Sequence, residues 1–157
     1  MGYVVETGTE PRQVYLAVRA TVRMSEMGER MGPLFGKLFG WLGQAGIEAT
    51  GAPWARYLTV GPDEVELEIG APVAREVDGG DGIISGVRPA CDIAWTVHVG
   101  PYDQMEPAYQ AVLSWISANG QMIAGAGWEF YETDPDQEPD PAKWRTRIVY
   151  PLAPRSA

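Results

Sequence analysis

Few side chains in this sequence are of a type and spacing that could do chemistry, and the most suggestive are acidic or phenolic. In Trp128-Glu129-Phe130-Tyr131-Glu132, a strand would set Trp128, Phe130 and Glu132 on one face and Glu129 and Tyr131 on the other. If the bulky Trp128 and Phe130 pack on a helix, Glu129 and Tyr131 are turned toward a ligand. A carboxylate among aromatic rings has three uses. It can pair with a cationic ligand, the rings adding roughly 0.5–2 kcal/mol of cation–π attraction. Partly desolvated, its pKa would rise and it could act as a general acid or base near neutrality. Or it can close a structural ion pair, for which Arg147 is the candidate partner. Other chemistries lack their parts. The single His98 and single Cys91 have no neighbours at metal-ligand spacing, so neither a metal site nor a thiol nucleophile is expected. No glycine-rich phosphate loop is present, and no cofactor is expected.

The elements that must position these residues come in two copies. Trp41, Gly46, Gly51, Trp54 and Tyr57 recur as Trp115, Gly120, Gly125, Trp128 and Tyr131 at one gapless offset of 74. Pro72 recurs as Pro151 at an offset of 79, the difference falling in a loop insertion at 134–141. Each copy reads as strand, helix, strand, strand. In the first, a β-rich run over 13–22 precedes a helix with Pro33 in its first turn, an apolar face of Leu34, Phe35, Leu38, Phe39 and Leu42, and Gly46 as its end. Strands follow over 54–60 and 64–69. In the second, a strand over 93–99 precedes a helix begun by a capping box of Asp103 and Glu106. Met105, Tyr109, Val112, Leu113 and Ile116 form its stripe, Gly120 stops it, and strands follow over 128–133 and 145–150. Helices burying one face on a mainly antiparallel sheet make an α+β fold of two pseudo-symmetric β-α-β-β repeats. We expect one domain over 1–157, with repeat one at about 3–73, repeat two at about 83–152, and a ligand cleft between them. Gly32, Gly36 and Gly40, spaced by four on the first helix, are read as helix–sheet packing.

Further site candidates follow from the repeat. Tyr57 joins Glu129 and Tyr131 through the offset of 74. In Glu64-Val65-Glu66-Leu67-Glu68-Ile69 the apolar residues face the helix, so Glu66 and Glu68 face away, and the offset of 79 sets Arg147 in the place of Glu68. Alternating glutamates on a strand also describe a solvated face. Trp95 offers stacking surface. His98 reads as a surface or core histidine, and Tyr102, at the helix start, as a packing residue whose hydroxyl could touch ligand.

Composition narrows the partners. A net charge of −9 repels phosphate backbones, so nucleic acid is a poor partner. No apolar run is long enough to cross a membrane, the N-terminus lacks signal-peptide character, and one cysteine fits a reducing compartment. The expected location is the cytoplasm.

The ordered set Thr96-Val97-His98-Val99-Gly100-Pro101-Tyr102-Asp103, Ala108-Tyr109, Trp115-Ile116, Gly125-Ala126-Gly127-Trp128-Glu129-Phe130-Tyr131, Trp144-Arg145-Thr146 and Pro151-Leu152 resembles the GyrI-like small-molecule-binding family. That family includes the gyrase-inhibitor protein and the effector-binding domains of multidrug-sensing regulators. The resemblance implies two SHS2-type modules and a cleft that takes hydrophobic, often aromatic compounds, using aromatic rings and a buried carboxylate. Members often carry Glu where this chain has Arg147, a departure that points to a neutral or polar ligand. Three functions follow from the resemblance. The first is a stand-alone binder of a hydrophobic aromatic drug or toxin. The second is a detoxifying hydrolase that opens the cyclopropane ring of DNA-alkylating compounds, Glu129 handling the water and Tyr131 the carbonyl. The third is a gyrase-inhibitor-like interaction module whose protein partner is unknown.

Overall fold

The computed structural model describes residues 3–134 and 137–154. The chain divides into two compact units, Arg12–Pro89 and Met1–Pro11 with Ala90–Ala157. The α+β reading holds in both.

The first unit contains β2 (Gln13–Arg23), α1 (Met27–Ala45), β3 (Trp54–Val60), β4 (Glu64–Pro72) and β5 (Ile84–Arg88); the second contains β1 (Glu6–Glu10), β6 (Cys91–Val99), α2 (Glu106–Ala118), β7 (Trp128–Tyr131) and β8 (Arg145–Leu152). All the described ladders are antiparallel. In the first unit β4 lies between β3 and β2, and β5 extends the far side of β2. In the second, β8 lies between β7 and β6, and β1 extends the far side of β6. The edge strands β1 and β5 were not anticipated from the sequence. Glu6–Glu10 shows no run of large apolar residues, because only one of its edges is paired and its side chains are mostly exposed.

Period-two patterning builds each sheet. In the first unit Leu16, Val18, Val22, Val65, Leu67 and Ile69 form one buried apolar row. The Leu34, Leu38 and Leu42 stripe of α1 packs on β2 and β4 there. In the second unit Ala94, Leu152, Val112 and Ile116 form one core cluster, and Met105, Ala108 and Ile148 another. The helix side of that sheet is therefore the side of Ala94 and Ile148.

Three local expectations are corrected. Helix α1 begins at Met27, so Pro33 sits inside it rather than in its first turn, where it removes the bond the carbonyl of Glu29 would accept. The Asp103–Glu106 capping box does not form: Tyr102–Gln104 is a 3₁₀ turn, and α2 starts after Met105 without a side-chain cap. Glu106 instead accepts a hydrogen bond from Gln110 one turn on, at 2.9 Å. The glycines of α1 do not pack on the sheet either. A Cβ at Gly28, Gly32, Gly36, Gly40 or Gly43 would meet nothing within 4 Å, because the leucine stripe takes the sheet side and leaves the glycines exposed. Gly46, by contrast, ends α1 in the left-handed conformation as expected, with φ of 70°. The loop insertion at 134–141 lies partly outside the described residues; within it, Asp140 accepts from the amide of Ala142 and starts a short 3₁₀ turn.

Candidate functional site

Strand β7 alternates as expected, but its sides are reversed. Glu129 stands opposite Ile148, and Tyr131 opposite Thr146, so both lie on the helix side of the second unit's sheet. Trp128 and Phe130 stand opposite Val149 and Arg147 on the other side. Bulk misled the reading because both faces are occupied. Trp128 is buried on its own side as thoroughly as Glu129 is on the helix side, so large rings did not mark the helix.

Glu129 is only 4% exposed, and its carboxyl group is met by phenols. Tyr131 donates its hydroxyl proton to Oε1 at 2.7 Å, and Tyr109, from the first turn of α2, donates to Oε2. Tyr109 meets Tyr150 edge-on with ring centroids 6.3 Å apart. Tyr131 meets Tyr102 edge-on at 5.6 Å, and Tyr102 stacks on Trp144 at 4.8 Å. Trp144 is anchored by its indole N–H, which donates to the carbonyl of Glu138 at 2.7 Å. Burial foremost, then the nearby acidic groups Asp134 and Glu129, raises the pKa of Tyr102; burial, then Glu129 and Glu106, raises that of Tyr150. Both rings therefore stay protonated, and both hydroxyls remain donors, to higher pH than an ordinary tyrosine. The result is a buried carboxyl group inside a set of aromatic rings, with Tyr102 as the outermost ring, about two-fifths exposed.

The other candidates are placed elsewhere. His98 is buried, with both ring nitrogens bonded within the fold. Its Nε2–H donates to the carbonyl of Pro101 at 3.0 Å, so its Nδ1 accepts the hydroxyl of Tyr3 at 2.9 Å. Arg147 does not pair with Glu129. It lies on the opposite side of the sheet, bonded to Glu10 at 2.8 Å, with its guanidinium 5.3 Å from the Trp95 ring centre and 5.1 Å from that of Phe130. Trp95 belongs to that arrangement, away from Glu129.

In the first unit, Glu66 and Glu68 face away from α1 as expected. Glu66 is exposed, whereas Glu68 is fully buried and takes Arg19 Nε on Oε2 at 2.7 Å. Glu68 holds the Arg19 guanidinium above its usual range, while burial lowers that of Arg56, its neighbour across the ladder. Burial, reinforced by Glu68, raises the Tyr15 phenol, whose ring meets Trp54 edge-on at 5.0 Å. Tyr57 lies opposite Leu67, on the α1 side, beside a register shift.

Of the candidates, the structure thus gathers Glu129, Tyr131 and Tyr102. Sequence reasoning missed Tyr109, Tyr150 and Trp144 as members of the group. Tyr109 was assigned to the buried stripe of its helix, and its polar tip, at the end nearest the strand glutamate, was the available signal. A shallow polar depression of about 550 Å³ in the first unit, where exposed Arg12 and Glu76 pair at 2.9 Å, is lined by none of the candidates. Among the described residues, no three His, Cys, Asp or Glu side chains gather as a metal would need, and no helix is long and apolar enough to cross a membrane.

Each unit is an antiparallel α+β module, and the second carries a buried carboxyl group capped by phenols. The chain belongs to the GyrI-like family: the model of the GyrI-like small molecule binding domain matches residues 5–153. Comparison with curated proteins by sequence gave no significant match. Solved structures share the fold. The EcmrR C-terminal domain superposes with a TM-score of 0.86 at 22% identity, covering 99% of this chain and 100% of that one. SAV2435 bound to tetraphenylphosphonium gives 0.66 at 9% identity, covering 98% and 94%. A hydrolase from Listeria innocua gives 0.67 at 11% identity, covering 95% and 91%.

Proposed function

We propose that this protein captures a hydrophobic aromatic small molecule on the helix side of its second unit, with Glu129 as the polar anchor and Tyr102, Tyr109, Tyr131 and Tyr150 as the surrounding rings. The observation that carries this reading is the buried Glu129 carboxyl group bonded to two tyrosine hydroxyls. A ligand bearing an N–H, an O–H or a positive charge can replace either phenol on that carboxyl group and stack its rings on those already there. The bound tetraphenylphosphonium of SAV2435, a distant relative in fold, supports a ligand of aromatic character. Entry requires Tyr102 and Tyr131 to shift, since Glu129 is closed from solvent here.

The test is calorimetric titration with tetraphenylphosphonium and 4-benzylphenol, a cationic and a neutral aromatic probe. Glu129→Gln keeps the shape of the site and should weaken binding of at least one probe about ten-fold or more while leaving the melting temperature nearly unchanged. Equal affinities in the two proteins would sink the proposal.

Hydrolysis at the same site ranks second. It needs Glu129 to hold a water and Tyr131 to face a carbonyl. In this structure both carboxyl oxygens, and the Tyr131 hydroxyl, are committed to each other and to Tyr109. Incubating substoichiometric protein with a cyclopropane-bearing alkylating compound decides between them: multiple turnovers to a water adduct would establish the hydrolase.

A further inference from the structure

Thr146 is fully buried, and its hydroxyl has no hydrogen-bond partner among the described residues. It stands on β8 directly opposite both Tyr131 and His98, which places it on the helix side beside Glu129. Three polar neighbours on that side are bonded to other partners. Thr96 donates to the carbonyl of Val4 at 2.7 Å, His98 uses both ring nitrogens, and Glu129 takes two phenols. The repeat itself does not call for a hydroxyl at this place. At the repeat offset of 79 the first unit has Leu67, equally buried and wholly apolar. A buried hydroxyl that gives up its water and gains no partner weakens the folded state, where valine of the same shape would not. Buried polar groups in native proteins are overwhelmingly bonded, so one that is not invites a partner from outside the chain.

We propose that Thr146 is a second polar anchor for the ligand of the Glu129 site. This rests on the reading of Glu129 as the first. Thr146 and Glu129 are diagonal neighbours across the β7–β8 ladder, a relation that sets side chains roughly 7–8 Å apart. The ligand class follows from that spacing. It is an aromatic compound with two polar groups on one rigid body, a donor for Glu129 and an acceptor such as a ketone for Thr146. A purely apolar cation such as tetraphenylphosphonium would satisfy the first anchor and ignore the second.

A matched pair of probes separates the anchors. 4-Hydroxybenzophenone carries a phenol and a carbonyl, and 4-benzylphenol has a methylene in place of the carbonyl. By calorimetry the intact protein should bind the ketone about five- to ten-fold more tightly. Thr146→Val should abolish that preference without lowering the melting temperature, and Thr146→Ser should retain it. The proposal is overturned if the preference survives in Thr146→Val. It is equally overturned if Thr146→Val melts several degrees lower without ligand, because the hydroxyl would then be engaged within the fold. Glu129→Gln keeps the two failures apart. Loss of both phenols with an unchanged ketone preference in Thr146→Val rejects Thr146 alone. No effect of Glu129→Gln on either phenol, or no binding of either by the intact protein, rejects the site and Thr146 with it.

Discussion

The two units share a β-α-β-β order, and each keeps its buried carboxyl group on a different side of its own strands. In the first, the rows of β2 and β4 that face the helix are apolar, and the buried carboxylate, Glu68, is on the other side with Arg19. In the second, the helix side holds Glu129 with its tyrosines, and the other side carries Arg147 between two aromatic rings. The repeat offsets make the exchange explicit: Ala55 occupies the place of Glu129, and Glu68 that of Arg147. One backbone plan thus supports an ion-paired carboxylate and a phenol-bonded one. Arg19 engages only Oε2 of Glu68, whose Oε1 has no hydrogen-bond partner among the described residues, whereas phenols meet both oxygens of Glu129. Neutral phenol partners can be exchanged for a ligand at small electrostatic cost.

The largest effect should come from breaking the ion pair. Arg19→Met strips the buried Glu68 of its 2.7 Å partner. The loss should be about 2–3 kcal/mol in urea denaturation at pH 7, below the full penalty for a buried pair because the Arg19 side chain is 55% exposed. A change under about 0.5 kcal/mol would mean that Arg56 carries the charge compensation alone. Next comes the phenol pair. Tyr109→Phe removes one hydroxyl from Glu129 and should cost only about 1–2 kcal/mol in the same assay. A loss larger than that of Arg19→Met would reverse the contrast drawn between the units. Smallest is the contrast between the helices, since α1 carries exposed glycines where α2 has none. Gly36→Ala meets open space and should raise stability by about 0.5–1 kcal/mol, read as a higher melting temperature. Destabilisation there would show that the glycine face is covered in solution.

Much of this was legible in the residues. The offset of 74 located both copies of the helix and the two strands after it, and the resemblance over essentially the whole chain, strongest over 94–152, pointed to the family that the match over 5–153 shows. Glu129 and Tyr131 were singled out, and they do form the core of the candidate site. Their setting was not legible. Tyr109 lies 20 residues away on α2, and nothing in local spacing ties its hydroxyl to Glu129. Thr146 looked like an ordinary strand threonine until its burial and missing partner were known. The pairing of β1 with β6 joins residues about 85 apart, and the short, exposed β1 carries too little apolar pattern to announce it.

The sequence by itself determined the element order, the repeat, the apolar stripes and the partition of each strand into two alternating sets, because these depend on periodicity and local backbone preference. Only the tertiary structure decided which set faces the helix. Alternation is blind to side when both faces of a sheet are buried. The choice in β7 was made by register, which aligned Glu129 with Ile148 beneath Ala108 and Met105 and brought a tyrosine of α2 within reach of the carboxyl group.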